Sequence, residues 1–222
     1  MIPPSLRVAI LPVAIAVAVP TRPALARDVT VQAAIVSDYR FRGLSLSNRM
    51  PVIQGGVDVE RDGWQAELWG SIRADGEPEG REVDLYLGRA GSIGALSYEA
   101  GARAYFVDCA RAYFEVTAQM NRPLGPVQFA AELSYAPAQA GLRDNLYVAA
   151  SLSVSPVPRL RLTGRAGIED NAIFGAKSDW EARAEFDAQP LTFSAAIVQA
   201  RSHMLTTEDR APAGVFALQV KF

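Results

Sequence analysis

Two side chains that commonly carry chemistry occur once each in the 222 residues, His203 and Cys109. A lone histidine and a lone cysteine cannot supply a structural zinc site of four protein ligands, a disulfide framework or a Cys-x-x-Cys redox pair. One histidine-based triad is conceivable, because His203 stands beside Ser202 and Thr206, with Glu208 and Asp209 nearby. Those types could serve as base, nucleophile and acid of a hydrolase. The same cluster also reads as an exposed polar loop, and no enzyme activity, metal or cofactor is expected from it. Cys109, in a tight loop, reads as an inert or surface thiol.

The remaining chemistry lies in charges, and these are regularly spaced. From Asp179 to Ala188 every odd position is charged and every even one apolar. Strict period two means a strand with unlike faces. The rule recurs: Gln65, Glu67, Ser71 and Arg73 oppose Trp64, Ala66, Leu68 and Ile72, and Glu82, Asp84 and Tyr86 oppose Val83, Leu85 and Leu87. Glu99, Arg103 and Tyr105 oppose Tyr98, Ala100, Ala102 and Phe106, while Arg111, Tyr113 and Glu115 oppose Ala112, Phe114 and Val116. Asp38, Arg40 and Arg42 share one face of the first segment, with Tyr39 and Phe41 on the other.

Turn signals divide the chain into twelve strands: 28–44, 50–60, 64–74, 81–89, 95–106, 110–121, 126–136, 145–155, 159–169, 178–188, 191–200 and 213–222. Ten is the alternative, if 95–106 and 110–121 merge around Cys109. An even number suits a closed antiparallel up-and-down barrel. Connections alternate between short turns, such as Arg61-Asp62-Gly63, and longer loops, such as Arg201 to Pro212. That asymmetry is the pattern of outer-membrane barrels, with both termini on the short-turn, periplasmic side.

The flanking segments agree with this architecture. Arg7 precedes the apolar run Val8 to Val19, and Ala24-Leu25-Ala26 follows, so residues 1–26 read as a cleaved export signal, too short to span a bilayer. Only Arg7 and Arg22 are charged there, so 27–222 keep 24 acids against 20 bases, about −4. Nucleic acid is an unsuitable partner for such a balance. No later run of 18 uncharged apolar residues occurs, which leaves strands, not helices, to enter a membrane.

Aromatics on the apolar parity fall near strand ends, with Trp64, Phe129, Phe186, Phe193 and Phe222 at one level and Phe41, Phe106, Phe114, Tyr135 and Trp180 at the other. Two interfacial girdles are expected from that. The competing fold is a soluble sandwich or barrel with the apolar face inside. Ala66, Ala100, Ala102, Ala112, Ala118, Ala166, Ala182 and Ala184 would fill such a core poorly.

Five blocks carry a family resemblance: Ser37-Asp38-Tyr39, Phe41-Arg42-Gly43, Gln54-Gly55-Gly56, Trp69-Gly70-Ser71 and Glu82-Val83-Asp84-Leu85-Tyr86. Over residues 37 to 86 the chain resembles the proteobacterial TorF family of porins, and more loosely at Tyr113 to Val116 and the C-terminus. The resemblance implies an outer-membrane barrel with a pore and specifies no substrate. Arg40 departs from the family, whose members often carry a hydrophobic residue there. The last strand, ending on Phe222, also looks like the terminal strand that such barrels present to the barrel assembly machinery.

Charge facing lipid at mid-membrane costs about 2–4 kcal/mol for Arg or Lys, so the polar parity must face the lumen. The expected pore-lining set is Asp38, Arg40, Arg42, Asp58, Glu60, Glu67, Arg73, Glu82, Asp84, Glu99, Arg103, Arg111, Glu115, Arg161, Arg165, Glu181, Arg183 and Glu185. Twelve strands should leave a narrow passage, between the filled interior of eight and the open channel of sixteen. The expected function is passive diffusion of small polar solutes or ions, with a mild cation preference, in a barrel surrounded by outer-membrane lipid and lipopolysaccharide. The alternative is a non-conducting barrel or anchor whose inward rows pair with one another.

Overall fold

A computed structural model describes residues 28–77, 81–107, 111–139, 141–171 and 175–222, and, within these, the side chains of all but 28, 111, 112 and 171. The expected export signal and Cys109 lie outside the described residues. Twelve strands close into one antiparallel barrel: β1 (Asp28–Val36), β4 (Val52–Arg61), β5 (Trp64–Arg73), β6 (Glu82–Ile93), β7 (Leu96–Val107), β8 (Arg111–Leu124), β9 (Val127–Ala136), β10 (Asn145–Val157), β11 (Leu160–Asn171), β12 (Gly175–Ala188), β13 (Leu191–Arg201) and β14 (Ala213–Lys221). Each pairs with its sequence neighbour, and β1 closes the ring against β14, for example at Gln32↔Lys221 and Val36↔Ala217. Closure leaves no unpaired edge, the condition for a sheet to sit in hydrocarbon. The ten-strand alternative fails because β7 and β8 pair as separate strands from Ser97↔Asn121 to Val107↔Arg111.

Parity explains the two surfaces. Leu68, Leu85, Leu87, Phe114 and Trp180 are exposed on the outside, together with Ala100, while Glu67, Asp84, Tyr86, Arg103 and Glu115 on the alternate positions are buried. The outer ends of the apolar faces carry Trp64, Phe186, Phe193 and Phe222 at one level and Phe106, Phe114, Tyr135 and Trp180 at the other, all exposed. A soluble β protein with the apolar face inside is therefore excluded. A closed barrel with an apolar exterior and a charged interior is an outer-membrane barrel.

At one end all five connections are two-residue turns, as between Arg61↔Trp64, Leu124↔Val127 and Ala188↔Leu191. Asp62 and Gly63 both take positive φ (53° and 80°), the twist-matched geometry of a tight hairpin. The start of β1 and the end of β14 lie at this end. The strands run further than the sequence suggests: β6 continues to Ile93, β8 to Leu124, and β12 begins at Gly175. The expected loop 170–177 is thus mostly strand.

The largest departure concerns the first segment. The expected strand 28–44 leaves the wall at Val36. Residues 37–51 connect β1 to β4 and include a small hairpin, β2 (Arg40–Phe41) paired with β3 (Leu44–Ser45). Tyr39 and Phe41 are only 3% and 4% exposed, so they are not lipid-facing and Phe41 belongs to no girdle. Three charges within five residues find partners only in the interior, which folds the segment inward and buries its aromatic alternates as well.

Candidate functional site

The inward fold begins where β1 ends. Ser37 still completes the β1–β14 seam, its amide donating to the Phe216 carbonyl (2.8 Å) and its hydroxyl accepting from the Phe216 amide (2.9 Å). Asp38 then gathers the hairpin base: it accepts from Ser45 Oγ (2.6 Å) and Ser47 Oγ (3.4 Å), and pairs with Arg40 Nε (2.5 Å). The Tyr39 amide donates to Ser47 Oγ (3.0 Å), and the Leu46 amide to the Tyr39 carbonyl (2.7 Å). Local side-chain bonds of this kind give the backbone an alternative to the wall ladder.

Arg42 and Gly43 form the hairpin tip, with φ of 45° and 85°. Gly43 is required twice over. A Cβ there would lie 2.7 Å from Ala200 Cβ and 2.9 Å from the Ala200 amide nitrogen, in a backbone conformation that side chains disfavour.

The tip carries Arg42 to the far side of the barrel. Its Nη1 bonds Glu169 Oε1 on β11 (2.8 Å) and its Nη2 bonds Glu115 Oε2 on β8 (3.0 Å), with side-chain exposures of 2% or less for all three. Around the ring from β1, β8 is the fifth strand one way and β11 the fourth the other, so the hairpin crosses the lumen. The guanidinium lies 4.1 Å over the Tyr147 ring and 4.3 Å over Phe41. Lys177 Nζ pairs with Glu169 (2.8 Å) and donates to the Arg42 carbonyl (2.6 Å). A planar fork with two carboxylates and two aromatic faces is a fit specific to arginine.

A second network stands on β5–β7. Arg103 pairs with Glu67 (2.7 Å) and Asp84 (3.7 Å) and lies 4.9 Å over Tyr86. Tyr39 joins the hairpin to it, its hydroxyl donating to Glu82 (2.8 Å) and its ring tilted against Trp69 at 5.5 Å. A third network links β9, β10, β11 and β12: Arg165 pairs with Glu132 (2.9 Å) and Asp179 (3.5 Å), and Tyr147 donates to Asp179 (3.1 Å). Arg73 clamps Asp75 beyond the end of β5, and the hydrogen bond from that guanidinium holds the Asp75 carboxyl below its ordinary value.

The residues singled out from the sequence thus divide by place. Asp38, Arg40, Arg42, Glu67, Arg73, Glu82, Asp84, Arg103 and Glu115 are buried in the interior networks or the hairpin. Asp58, Glu60, Glu99 and Arg165 are half-buried. Arg161, Glu181, Arg183 and Glu185 line a cavity of about 830 Å³ that extends from the short-turn end, where Arg159, Pro190 and Lys221 border it, to the hairpin underside at Asp38, Tyr39 and Arg40. Arg183 is held by Glu181 through two bonds (2.6 and 3.0 Å). Arg111 is placed by register opposite Val107, and its side chain lies outside the description. Lys177 is not among the residues expected from the sequence, because 170–177 has the composition of a loop; its odd position, continuing the charged row that starts at Asp179, is the signal that places it inward.

The cluster around His203 is organised as a loop. Thr206 Oγ1 donates to Asp209 (2.6 Å) and accepts from its amide (3.1 Å), while Glu208 and Asp209 pair with Arg49 of the inward segment. Among the described residues no group of three His, Cys, Asp or Glu side chains is placed to hold a metal ion.

Among solved structures the NanC porin shares this fold, with a TM-score of 0.59 at 9% identity over 88% of this chain and 99% of that one. The OccK5 (OpdH) structure from Pseudomonas aeruginosa matches at 14% identity over 85% of this chain and 62% of its own, with a TM-score of 0.46. No curated protein matches the chain in sequence. Residues 21–219 match the family model described as Gcw_chp, bacterial protein of unknown function, and the chain belongs to that family.

Proposed function

We propose that the protein is an outer-membrane channel through which small hydrophilic solutes or ions diffuse passively, and that the β2–β3 hairpin is its constriction. The observation that carries this is the cavity beneath the hairpin: a space of about 830 Å³, lined by both charged and apolar side chains, that reaches the hairpin at Asp38, Tyr39 and Arg40. A barrel built only as an anchor needs no such space. The likeness of residues 37–86 to TorF porins supports the same reading. Residues 1–26 serve as its export signal, the strand ending at Phe222 as its address for the assembly machinery, and lipid with lipopolysaccharide as its surroundings.

One observation favours the non-conducting alternative: Arg42, Glu115, Glu169 and Lys177 are shut off from solvent, so the lumen is packed at their level. Ion preference separates the two, because only a conducting barrel has one. Acids dominate the interior of β4–β8. Glu67 and Glu115 already neutralise Arg103 and Arg42, whereas Asp58, Glu60 and Glu99 pair with no described cation. Converting Asp58 to Asn and Glu60 and Glu99 to Gln should move reversal potentials in KCl gradients toward anions. The shift should be large near 0.01 M salt, where the Debye length is about 30 Å, and vanish near 1 M, where it is about 3 Å. A preference that ignores these three carboxylates would count against a charged passage.

A further inference from the structure

The interior is filled unevenly. On the β5–β10 side it is occupied by the arginine networks and by buried tyrosines, including Tyr105 and Tyr147 at 1% exposure or less. The cavity lies mainly against β11–β14, β1 and the start of β4, and reaches Trp69, Asp84 and Arg103 on the opposite side only at its margin. Near the hairpin its wall on β1, β13 and β14 is apolar, with Ala196, Val198 and Val215 packed together with Val36, whereas Gln32, Ser194 and Gln219 line the same strands toward the short-turn end. Two residues beyond Val198, about 7 Å along β13 toward the loop end, Ala200 is fully buried. Over it close Leu44 from the hairpin and Leu205 from the β13–β14 loop, at 7% and 5% exposure. At this cluster wall, hairpin and loop meet through hydrocarbon. Both covering elements are latched, the loop by Arg49 to Glu208 and Asp209, and the hairpin by Arg42.

We infer that the solute route is eccentric, running along β1, β13 and β14, and that Leu44, Ala200 and Leu205 form an apolar gate that selects what passes. The inference rests on the channel function proposed above and adds a substrate class. A hydrated inorganic ion has to shed water against side chains that return no hydrogen bond, so an apolar constriction dewets and resists it. A small organic solute with an apolar edge loses little there, and below the gate it can keep its polar groups on the β11–β12 wall, where Arg161 and Glu185 stand opposite each other and line the cavity. The gate therefore favours such solutes over inorganic ions of similar size.

Leu44→Asn and Leu205→Asn keep side-chain volume and replace the apolar surface with an amide. Single-channel recordings in KCl on each variant and on the double variant test the gate. A barrel with residues 38–49 replaced by a short Gly-Ser linker serves as the open reference. Leu205 lies in a loop, so its substitution leaves the barrel wall intact, and heat-modifiable mobility shows that each protein is folded. The double variant should raise KCl conductance about twofold or more, with Leu205→Asn alone giving part of the gain. Unchanged conductance in folded Asn variants, beside a conducting shortened barrel, would overturn the gate and leave the channel standing. Silence from the shortened barrel would remove both.

Discussion

Replacing Arg42 with alanine should release the hairpin from the far wall. Removing one partner of a buried ion pair costs about 3–5 kcal/mol, because the charge left behind stays desolvated. Here two carboxylates, Glu115 and Glu169, lose the same partner. Lys177 still faces Glu169, but among the described residues Glu115 keeps only the Tyr105 and Tyr113 hydroxyls. The barrel ladder does not pass through the hairpin, so the loss should appear as undocking and not as unfolding of the wall. Trypsin applied to folded protein in vesicles should then cut after Arg40, which is buried in the native protein, while the barrel survives. Arg42→Lys should fall between the two, since an ammonium keeps the charge without the planar fork. If Arg42→Ala left the segment as resistant as the native one, the far-wall ion pairs would not be what holds it.

The second large effect concerns which aromatic and aliphatic side chains face lipid. Leu68 is about half exposed at the middle of β5, with Val57 and Leu85 beside it on the outer surface. An arginine at mid-membrane on that surface costs about 2–4 kcal/mol, so Leu68→Arg should sharply reduce the fraction of protein that folds into vesicles. Tyr39→Arg should not. Its side chain lies inside the barrel against Glu82 and Trp69, where an added cation meets acids instead of lipid. Read from sequence parity alone, Tyr39 would be the lipid-facing residue of its segment. Equal loss of folded protein from both substitutions, measured by heat-modifiable mobility, would return residues 37–44 to the wall.

That reversal marks the limit of what period two reveals. Alternation predicts the faces of Glu67, Asp84, Arg103 and Glu115 because a wall strand offers only two directions, lumen and lipid. A segment that leaves the wall and is surrounded by interior on all sides hides both of its faces, as Tyr39 and Arg40 do. The sign of departure was local: Arg42-Gly43 has the composition of a tight turn, and a third charge in five residues asks for partners that one strand cannot supply. The position of Gly43 became intelligible only with Ala200 beside it, a contact between residues far apart in the chain. The apolar lumen wall of β13 was likewise hidden, since Ala196, Val198 and Ala200 alternate with Ile197 and Gln199 without a clean polar face. Strand number and closure were accessible because turn residues recur at regular spacing. Strand length was less so, because β12 carries its alternation through Lys177 into what composition suggests is loop.

Planar-bilayer conductance, comparing the native protein with the barrel whose residues 38–49 are replaced by a short linker, tests the central claim most directly. The wall itself permits the change, since Val36 and Val52 are directly paired and a short turn can join them. A channel narrowed by its own inward hairpin predicts small discrete steps for the native protein and clearly larger ones for the shortened barrel. Identical steps from the two would show that the hairpin constricts nothing, and absence of current from both folded proteins would show that the barrel is not a channel.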